Sequence, residues 1–261
     1  MLRPRIIPCL LVKDGGLVKT VNFGSPKYVG DPVNAVKIFN EKEVDEIIVL
    51  DIDATVKNRE PNFELIRHLA NECRMPFCYG GGVRTVDQAV RIIKSGVEKV
   101  AIGAAAVDCP TLISDLATHV GSQSVVAVLD VRRDSKTGRC SVWTHNGGRD
   151  AKVDPVELSQ RLEALGVGEI VLNSIDQDGT MKGYDLDLVR RVRDAIGVPM
   201  TVLGGAGRLG DVEQLFGTFG TIGAGAGSLF VFKGVYRAVL INYPSRRDRL
   251  ALYQAASSMA R

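Results

Sequence analysis

Four carboxylate side chains end or directly follow short apolar runs with the composition of buried strands: Asp51, Asp130, Asp176 and Asp178. In a barrel of parallel strands, the carboxyl ends of the strands form the face that carries the active site. A carboxylate placed there can act as a general acid or base. It can equally cap the following helix or pair with a basic neighbour such as Arg132, so both interpretations stay open for any single residue.

Glycine clusters follow apolar runs in both halves of the chain. The first half contains Gly80-Gly81-Gly82 and Gly103-Ala104; the second contains Asp178-Gly179-Thr180, Gly204-Gly205 and Gly227-Ser228. Glycine lets backbone N–H groups approach an anion closely, and a helix N-terminus adds positive potential. For one cluster, tight turns and close packing would be a sufficient explanation. Two clusters at corresponding positions favour two phosphate sites. We expect these sites at Gly82 and Gly103, and at Asp178, Gly179, Gly204, Gly205, Gly227 and Ser228.

Charged residues stand at the opposite ends of four apolar runs: Arg5, Glu46, Lys99 and Glu169. Two cations and two anions at these positions could close a ring of ion pairs across the bottom of a barrel. The residues alone favour a simpler interpretation, because charged side chains often precede strands at the solvent boundary.

The elements that must position these residues alternate along the whole chain. Eight apolar, β-branched runs predict strands over residues 6–12, 47–51, 76–79, 99–102, 124–130, 169–172, 199–203 and 220–224. Amphipathic stretches predict helices over residues 32–40, 63–72, 86–95, 110–119, 155–165, 186–195 and 211–216. Continuous apolar runs are typical of parallel strands covered on both faces. The pattern therefore predicts an α/β fold, the (β/α)8 barrel, in a chain of ordinary length for it.

The two halves of the sequence resemble each other. Glu46-Ile-Ile-Val-Leu-Asp-Ile-Asp53 parallels Glu169-Ile-Val-Leu-Asn-Ser-Ile-Asp176, and the glycine clusters follow in the same order. We expect one barrel domain over residues 1–261 with an internal two-fold repeat. Its halves would cover about residues 1–120 and 121–245, and a C-terminal helix would cover about residues 246–261.

Composition excludes several classes of protein. The net charge is only +3 and there is no basic stripe with interleaved aromatics, so we expect no nucleic-acid partner. No apolar run approaches the roughly 20 residues that span a bilayer. The five cysteines are scattered without a C-x-x-C pair, which predicts a reduced, cytoplasmic protein without a metal site.

Several motifs together resemble the cyclase subunit of imidazole glycerol phosphate synthase, the HisF family. They include Arg5-Ile-Ile-Pro-Cys9, Leu50-Asp-Ile-Asp-Ala-Thr55, Gly80-Gly-Gly82, Ser174-Ile-Asp-Gln-Asp-Gly-Thr180 and Gly204-Gly-Ala-Gly207, and the resemblance runs to about residue 232. It implies a (β/α)8 barrel that binds a substrate with a phosphate at each end and needs no cofactor. It also implies a separate glutaminase subunit on the barrel bottom, which supplies ammonia through the barrel.

The resemblance assigns roles to residues already singled out. Arg5, Glu46, Lys99 and Glu169 match the family's ammonia gate, which outweighs the simpler interpretation of these charges. Lys19 matches a residue of the substrate loop, and Asp130 matches one of two catalytic aspartates. The other aspartate falls at Leu11, and leucine cannot transfer a proton.

Further departures point to a paralogous branch. Gly103-Ala104 stand where the family has Asn-Thr, and Asn173 replaces a Thr. Leu11, Asn173 and the tail Ser228-Leu-Phe-Val-Phe232 through Tyr243-Pro244 resemble a branch associated with acetamidino modification of bacterial surface sugars. The resemblance therefore implies ammonia delivery to an ATP-dependent sugar amidotransferase. The alternatives are an authentic cyclase of histidine biosynthesis and a non-catalytic scaffold that binds a phosphorylated ligand.

Overall fold

The computed structural model describes residues 3–234 and 236–258. In chain order the elements are β1 (Arg5–Lys13), β2 (Gly16–Val21), β3 (Gly24–Gly30), α1 (Pro32–Glu41), β4 (Ile47–Asp51), α2 (Phe63–Glu72), β5 (Phe77–Gly80), α3 (Val86–Lys94), β6 (Lys99–Ile102), α4 (Ala104–Asp108), α5 (Leu112–Val120), a 3₁₀ turn (Ser122–Ser124), β7 (Val125–Arg133), β8 (Cys140–Thr144), β9 (Arg149–Asp150), α6 (Pro155–Ala164), β10 (Glu169–Ser174), α7 (Leu186–Arg193), β11 (Met200–Leu203), α8 (Leu209–Phe219), β12 (Gly223–Ala226), α9 (Ser228–Val231), β13 (Phe232–Lys233), β14 (Ala238–Val239) and α10 (Arg246–Ser258).

Eight parallel strands close into a barrel. The order around the ring is β1, β4, β5, β6, β7, β10, β11 and β12, and β12 pairs with β1 to complete it. This confirms the predicted (β/α)8 fold, and each of the eight predicted strands forms one barrel strand. The last of them begins later than the predicted range 220–224, because Gly220 ends α8 with a φ of +68°. The boundary between the halves near residue 120 stays a prediction.

Antiparallel extensions at the carboxyl ends of β1 and β7 were not predicted. β2 and β3 form a hairpin that pairs with β1, and β8 and β9 extend β7. β3 and β9 are polar or only two residues long, whereas β2 and β8 do carry short apolar patterns that would have indicated strands. The short helices α4 and α9 were not predicted either. With five and four residues, they are too short to show the spacing of apolar residues that marks an amphipathic helix.

Two apolar layers hold the barrel together. The larger layer lies between the strands and the outer helices and includes Phe39, Ile66 and Phe216. The helices that cover it begin as the sequence indicates at Asp31-Pro32 and Asp154-Pro155, where each aspartate accepts a hydrogen bond from the first turn. At Cys109-Pro110 the prediction was wrong, because α5 begins only at Leu112, after a turn. The second layer fills the barrel interior.

The last helix of the described residues, α10, packs on α8. It covers residues 246–258 of the predicted range 246–261; residues 259–261 lie outside the described residues. Within the described ranges, no helix combines the length and apolar character needed to cross a membrane.

Candidate functional site

The carboxyl ends of the barrel strands surround a cavity of about 830 Å³, which we call the mouth. Side chains from both halves of the barrel line it, including Leu11 from β1 and Asp130 from β7. Its remaining wall is largely apolar, with Leu50, Val128 and Leu203. The structure thus brings the two predicted catalytic positions to one cavity, with a carboxylate from β7 and an apolar side chain from β1.

Asp130 is one of two carboxylates that line the mouth, the other being Asp178. Asp130 Oδ1 accepts a hydrogen bond of 2.8 Å from Asn173 Nδ2, which fixes the orientation of the carboxylate. Burial raises the pKa of Asp130 to about 6, and the Asn173 hydrogen bond opposes this rise only in part. A carboxyl with a pKa near neutrality can exchange a proton under physiological conditions.

The second predicted phosphate site lies beside this carboxylate. Gly179, Gly204, Gly205, Gly227 and Ser228 all line the mouth. Gly205 has a φ of +109° and stands against the Gly183 carbonyl, so a side chain would not fit there. The close backbone approach and the N-terminus of α9 form the cradle expected for an anion, and Asp178 borders it.

Lys19 reaches into this second cradle from the hairpin β2–β3. Its ammonium lies against Gly227 and donates a 2.7 Å hydrogen bond to the Cys9 carbonyl oxygen. Burial lowers the pKa of Lys19, while the charge of Asp178 counteracts that effect. The position agrees with a lysine that contacts a phosphorylated ligand.

Asp178 holds the hairpin β2–β3 over the mouth. Its carboxylate accepts hydrogen bonds from Thr20 Oγ1 at 2.7 Å and from the Phe23 backbone N–H at 3.2 Å. Burial raises the pKa of Asp178, although the Thr20 hydrogen bond opposes that rise. Asp178 therefore anchors a loop as well as bordering the cradle, and Asp176 similarly accepts from the Arg133 backbone N–H at 2.7 Å.

The first predicted phosphate site opens into a larger cavity of about 1700 Å³. Gly82 and Gly103 both line it, together with Arg84, Asp108 and His145. At Gly103-Ala104 the helix N-terminus has no side-chain hydrogen-bond donor. At that point the cradle offers backbone groups alone, and side-chain donors come only from surrounding residues such as Arg84 and His145.

Two candidates near the mouth have structural roles. The Asp51 carboxylate accepts from the backbone N–H groups of Asp53 at 3.0 Å and Ala54 at 3.1 Å, so it caps a turn, the alternative role considered for it. Arg132 was considered as an ion-pair partner for these carboxylates; instead, its guanidinium lies 4.3 Å from the centre of the Trp143 ring.

Four charged side chains at the amino ends of the strands form a closed ring of ion pairs. Arg5 contacts both Glu46 and Glu169, the latter at 2.7 Å. Lys99 completes the ring, with its Nζ 2.7 Å from Glu46 Oε1 and 2.8 Å from Glu169 Oε2. The four predicted residues therefore meet, and we call them the ion-pair ring.

Each anion of the ion-pair ring is paired with both cations. Burial of Glu169 favours its neutral form, but the charges of Arg5 and Lys99 and their hydrogen bonds outweigh burial and lower its pKa to about 2. Thr201 Oγ1 also donates to Glu169 Oε1 at 2.6 Å. Sequence reasoning missed Thr201, although its inward position on β11, two residues before Leu203, was a usable signal.

An apolar interior separates the ion-pair ring from the mouth. β-Branched side chains such as Ile7 and Ile48 form most of it, together with the smaller Cys9, Cys78 and Ala101. Burial raises the pKa of the Cys9 thiol to about 11 and that of Cys78 well above its ordinary range. Both thiols are therefore neutral at physiological pH, and the interior carries no fixed charge between its two ends.

The described residues hold no group of three or more histidine, cysteine, aspartate or glutamate side chains placed to bind a metal ion. The five cysteines are all free thiols.

Comparison with known proteins identifies related sequences. The sequence model described as "Histidine biosynthesis protein" matches residues 5–237. A Leptospira interrogans protein named "Putative imidazole glycerol phosphate synthase subunit HisF" is 52% identical over 253 residues, 97% of this chain and 100% of the relative. The similarly named hisF2 of Pseudomonas aeruginosa is 55% identical over 244 residues, 94% of this chain and 97% of the relative. Imidazole glycerol phosphate synthase subunit HisF of Streptococcus mutans is 41% identical over 230 residues, 88% and 91% of the two chains.

Proposed function

The chain belongs to the histidine biosynthesis protein family, among its HisF-type synthase subunits, and on that premise we propose that it delivers ammonia for amidation of an N-acetyl sugar. A glutaminase subunit docks on the barrel bottom and releases ammonia there. The ammonia passes the ion-pair ring, crosses the neutral interior and leaves at the mouth. An ATP-dependent amidotransferase then uses it to form an acetamidino group during surface-glycan assembly in the cytoplasm.

The observation that carries the proposal is the contrast between a complete ion-pair ring and an incomplete acid–base pair. All four ring residues are present and in contact. At the mouth, Asp130 has no carboxylate opposite it on β1, because Leu11 occupies that position. A protein that conducts ammonia without cyclising a substrate needs the first feature and not the second.

Asp130 and the second cradle keep a role in this proposal. In amidation, the ammonia nitrogen attacks the acetamido carbon after ATP-dependent activation of its oxygen, and that oxygen leaves with the activating group. Ammonia that crosses the uncharged interior arrives as the neutral nucleophile, and Asp130, held by Asn173, accepts a hydrogen bond from it at the mouth. The cradle of Gly179, Gly205 and Ser228 takes a phosphate of the ligand, and Lys19 supplies a cation beside it.

The chain is more similar to the hisF2-type relative than to the relative with the plain synthase name, which is consistent with a paralogous branch. Identity to the hisF2 relative is 55%, against 41% to the Streptococcus relative that carries the plain synthase name. The departures at Leu11, Ala104 and Asn173 fall in the mouth and the first cradle, where a cyclase would bind and convert its substrate.

The second candidate function is an authentic imidazole glycerol phosphate synthase cyclase. The retained Asp130 and the second phosphate cradle favour it. With free ammonia and the ribulosyl substrate, we expect turnover on the order of 10²–10⁴-fold below a histidine-pathway cyclase, the usual contribution of a general acid or base. Turnover near that of a histidine-pathway cyclase would establish this function instead.

Ammonia delivery is tested with ¹⁵N-amide glutamine, the glutaminase partner, the sugar amidotransferase, ATP and the N-acetyl sugar nucleotide. We expect labelled nitrogen in the amidated sugar, and loss of that transfer in Glu46→Ala and Lys99→Ala while glutamine is still hydrolysed. If labelled nitrogen reaches the sugar equally efficiently with and without this chain, the protein does not deliver ammonia, and the scaffold alternative is supported.

A further inference from the structure

The gap between strands β1 and β4 at the barrel bottom is bridged by side chains. Their register begins at Cys9 and Ile48, so the residues below that point have no ladder partner across the gap. There, the Ile6 N–H donates to Asp45 Oδ2 at 2.9 Å. The Tyr243 hydroxyl joins the same two residues, because it accepts from the Asp45 N–H at 3.3 Å and donates to the Ile6 carbonyl at 2.8 Å.

The C-terminal helix holds the Asp45 carboxylate from outside the barrel. Tyr253 on α10 donates its hydroxyl proton to Asp45 Oδ2. Arg249 Nη1 lies 3.8 Å from Asp45 Oδ1, and its guanidinium also packs 5.4 Å from the centre of the Tyr243 ring. Side chains of Arg249 and Asp45 are only 11% and 6% exposed, so solvent weakens this contact little.

The bridged residues are direct neighbours of the ion-pair ring in sequence. Ile6 follows Arg5, and Asp45 precedes Glu46. The ion pair between Arg5 and Glu46 spans the same gap between β1 and β4. A change in the spacing of the Ile6 and Asp45 peptide groups therefore moves both members of that ion pair.

The bridging side chains come from a segment outside the family match. That match ends at residue 237, whereas Tyr243, Arg249 and Tyr253 all follow it. Burial raises the pKa values of both tyrosines above their ordinary range, so their hydroxyls stay protonated donors. The segment after residue 237 therefore contributes a contact that reaches the bottom end of the barrel, and the Leptospira interrogans relative, aligned over 97% of this chain, shares most of that segment.

We propose that Tyr243, Arg249 and Tyr253, acting through Asp45, are positioning residues that set the spacing of Arg5 and Glu46 and so hold the ion-pair ring closed. The functional consequence rests on the proposed function, in which this ring admits ammonia. Because the proposal concerns the positions of side chains, stability measurements can test it without ammonia.

A double-mutant cycle tests the positioning. Tyr243→Phe removes one hydroxyl, and Lys99→Met removes a ring cation that the tyrosine does not contact. If the tail acts on the ring, the loss of Tm in the double variant differs from the sum of the single losses by at least about 2 °C, the equivalent of a small coupling energy in a chain of this size. A smaller departure from additivity overturns the proposal.

The double-mutant cycle includes a control variant and a substitute for a variant that fails to fold. Tyr184→Phe removes another buried hydroxyl, which donates to the Gly225 carbonyl at 3.0 Å in the middle of the barrel rather than across the gap between β1 and β4, and its effect should add to that of Lys99→Met. If Lys99→Met does not fold, Thr201→Val replaces it, because Thr201 donates to Glu169 of the ring. Equal coupling of Tyr184 and Tyr243 to the ring would also overturn the proposal.

A second measurement tests how much of the ammonia reaches the sugar. In the ¹⁵N-glutamine assay, Tyr243→Phe should lower the fraction of labelled nitrogen retained in the sugar by at least about twofold, with glutaminase affinity unchanged within about twofold. Tyr236→Phe, at a side chain 97% exposed, should retain it. Loss of retention in Lys99→Ala but not in Tyr243→Phe overturns the proposal and leaves the proposed function standing. Unchanged retention in both variants, beside a non-additive cycle, refutes the proposed function and supports the positioning.

Discussion

The two ends of the barrel differ in how completely their charges are paired. At the bottom, two cations and two anions contact each other in a closed ion-pair ring. At the mouth, Asp130 has an amide as its hydrogen-bond partner and an apolar side chain, Leu11, in the same cavity. Burial favours the neutral form of both carboxyls, but their partners differ: the two cations lower the pKa of Glu169 to about 2, whereas burial raises that of Asp130 to about 6.

This difference teaches that burial alone does not decide the charge of a carboxylate. Around Glu169, attraction to two cations offsets the free-energy cost of burying the ionised form. Around Asp130, one amide hydrogen bond is too weak to offset that cost. The bottom is consequently a stable, permanently charged assembly. The mouth holds a carboxyl poised to exchange protons at physiological pH.

Neutralising one anion of the ion-pair ring should have the largest effect. Glu169→Gln leaves Arg5 and Lys99 with Glu46 as their one remaining anion, so we expect a loss of about 3 kcal/mol in unfolding free energy at pH 7, measured with urea. Since the Glu169 pKa is depressed, its contribution is present above about pH 5 and disappears as pH falls toward 2. The difference between variant and wild type should shrink over that range.

A surface pair provides the matched control for this prediction. Lys37 and Glu72 are 3.5 Å apart, with side chains 51% and 38% exposed. Glu72→Gln should change stability by no more than about 1 kcal/mol. Equal losses in both variants would show that the ion-pair ring is energetically no different from a surface contact.

Removing the charge of Asp130 should raise the unfolding free energy rather than lower it, and by a smaller amount. A rise from about 4 to about 6 in pKa corresponds to roughly 3 kcal/mol if solvent is ignored, and partial exposure reduces it. We therefore expect Asp130→Asn to stabilise the protein by about 1–2 kcal/mol at pH 7. The gain should shrink as pH falls from about 6 to about 4 and vanish below about pH 3, where Asp130 is protonated in both states.

Urea titrations between pH 3 and pH 7 measure this gain. Asp134→Asn is a suitable control, because backbone N–H groups of Thr137 and Lys136 lower the pKa of Asp134, so that variant should show no gain. If Asp130→Asn destabilises the protein at pH 7, the carboxylate is better compensated than its surroundings indicate, and the contrast between the two ends fails.

The smallest expected effect concerns the two phosphate cradles. Inorganic phosphate should bind first at the cradle of Gly179, Gly205, Gly227 and Ser228, because the helix N-terminus at Gly103 has no side-chain donor. Ser228→Ala should weaken binding about fivefold, the equivalent of one modest hydrogen bond. Amide chemical shifts during a phosphate titration report the order of filling. Shifts confined to Gly82 and Gly103 would reverse the assignment.

The barrel was predictable because its strands carry a local signal. Runs such as 47–51 and 99–102 are apolar on both faces, and their burial in the structure follows from composition. The hairpin β2–β3 had no such signal: its turn is formed by Asn22 and Phe23, both at positive φ, rather than by a glycine pair. It depends on contacts with Asp178, which is distant in sequence.

The site residues that lie next to strand ends in the sequence were predictable. The four ring residues precede strands and the glycines follow them, so a barrel topology brings each set together. Thr201 and Asp45 were missed because their roles depend on partners across the barrel or in the tail. Nothing local to Asp45 indicates that a tyrosine 208 residues later donates to it.

The bridge at the barrel bottom also orders events during synthesis. Ile6 is made near the start of translation, but the hydroxyl that joins its carbonyl to Asp45 lies 237 residues downstream. A nascent chain can form the hydrogen bond from the Ile6 N–H to Asp45 early, yet the hydroxyls that reinforce it arrive only after Tyr243 and Tyr253 have left the ribosome. Completion of this network is therefore a late event in synthesis.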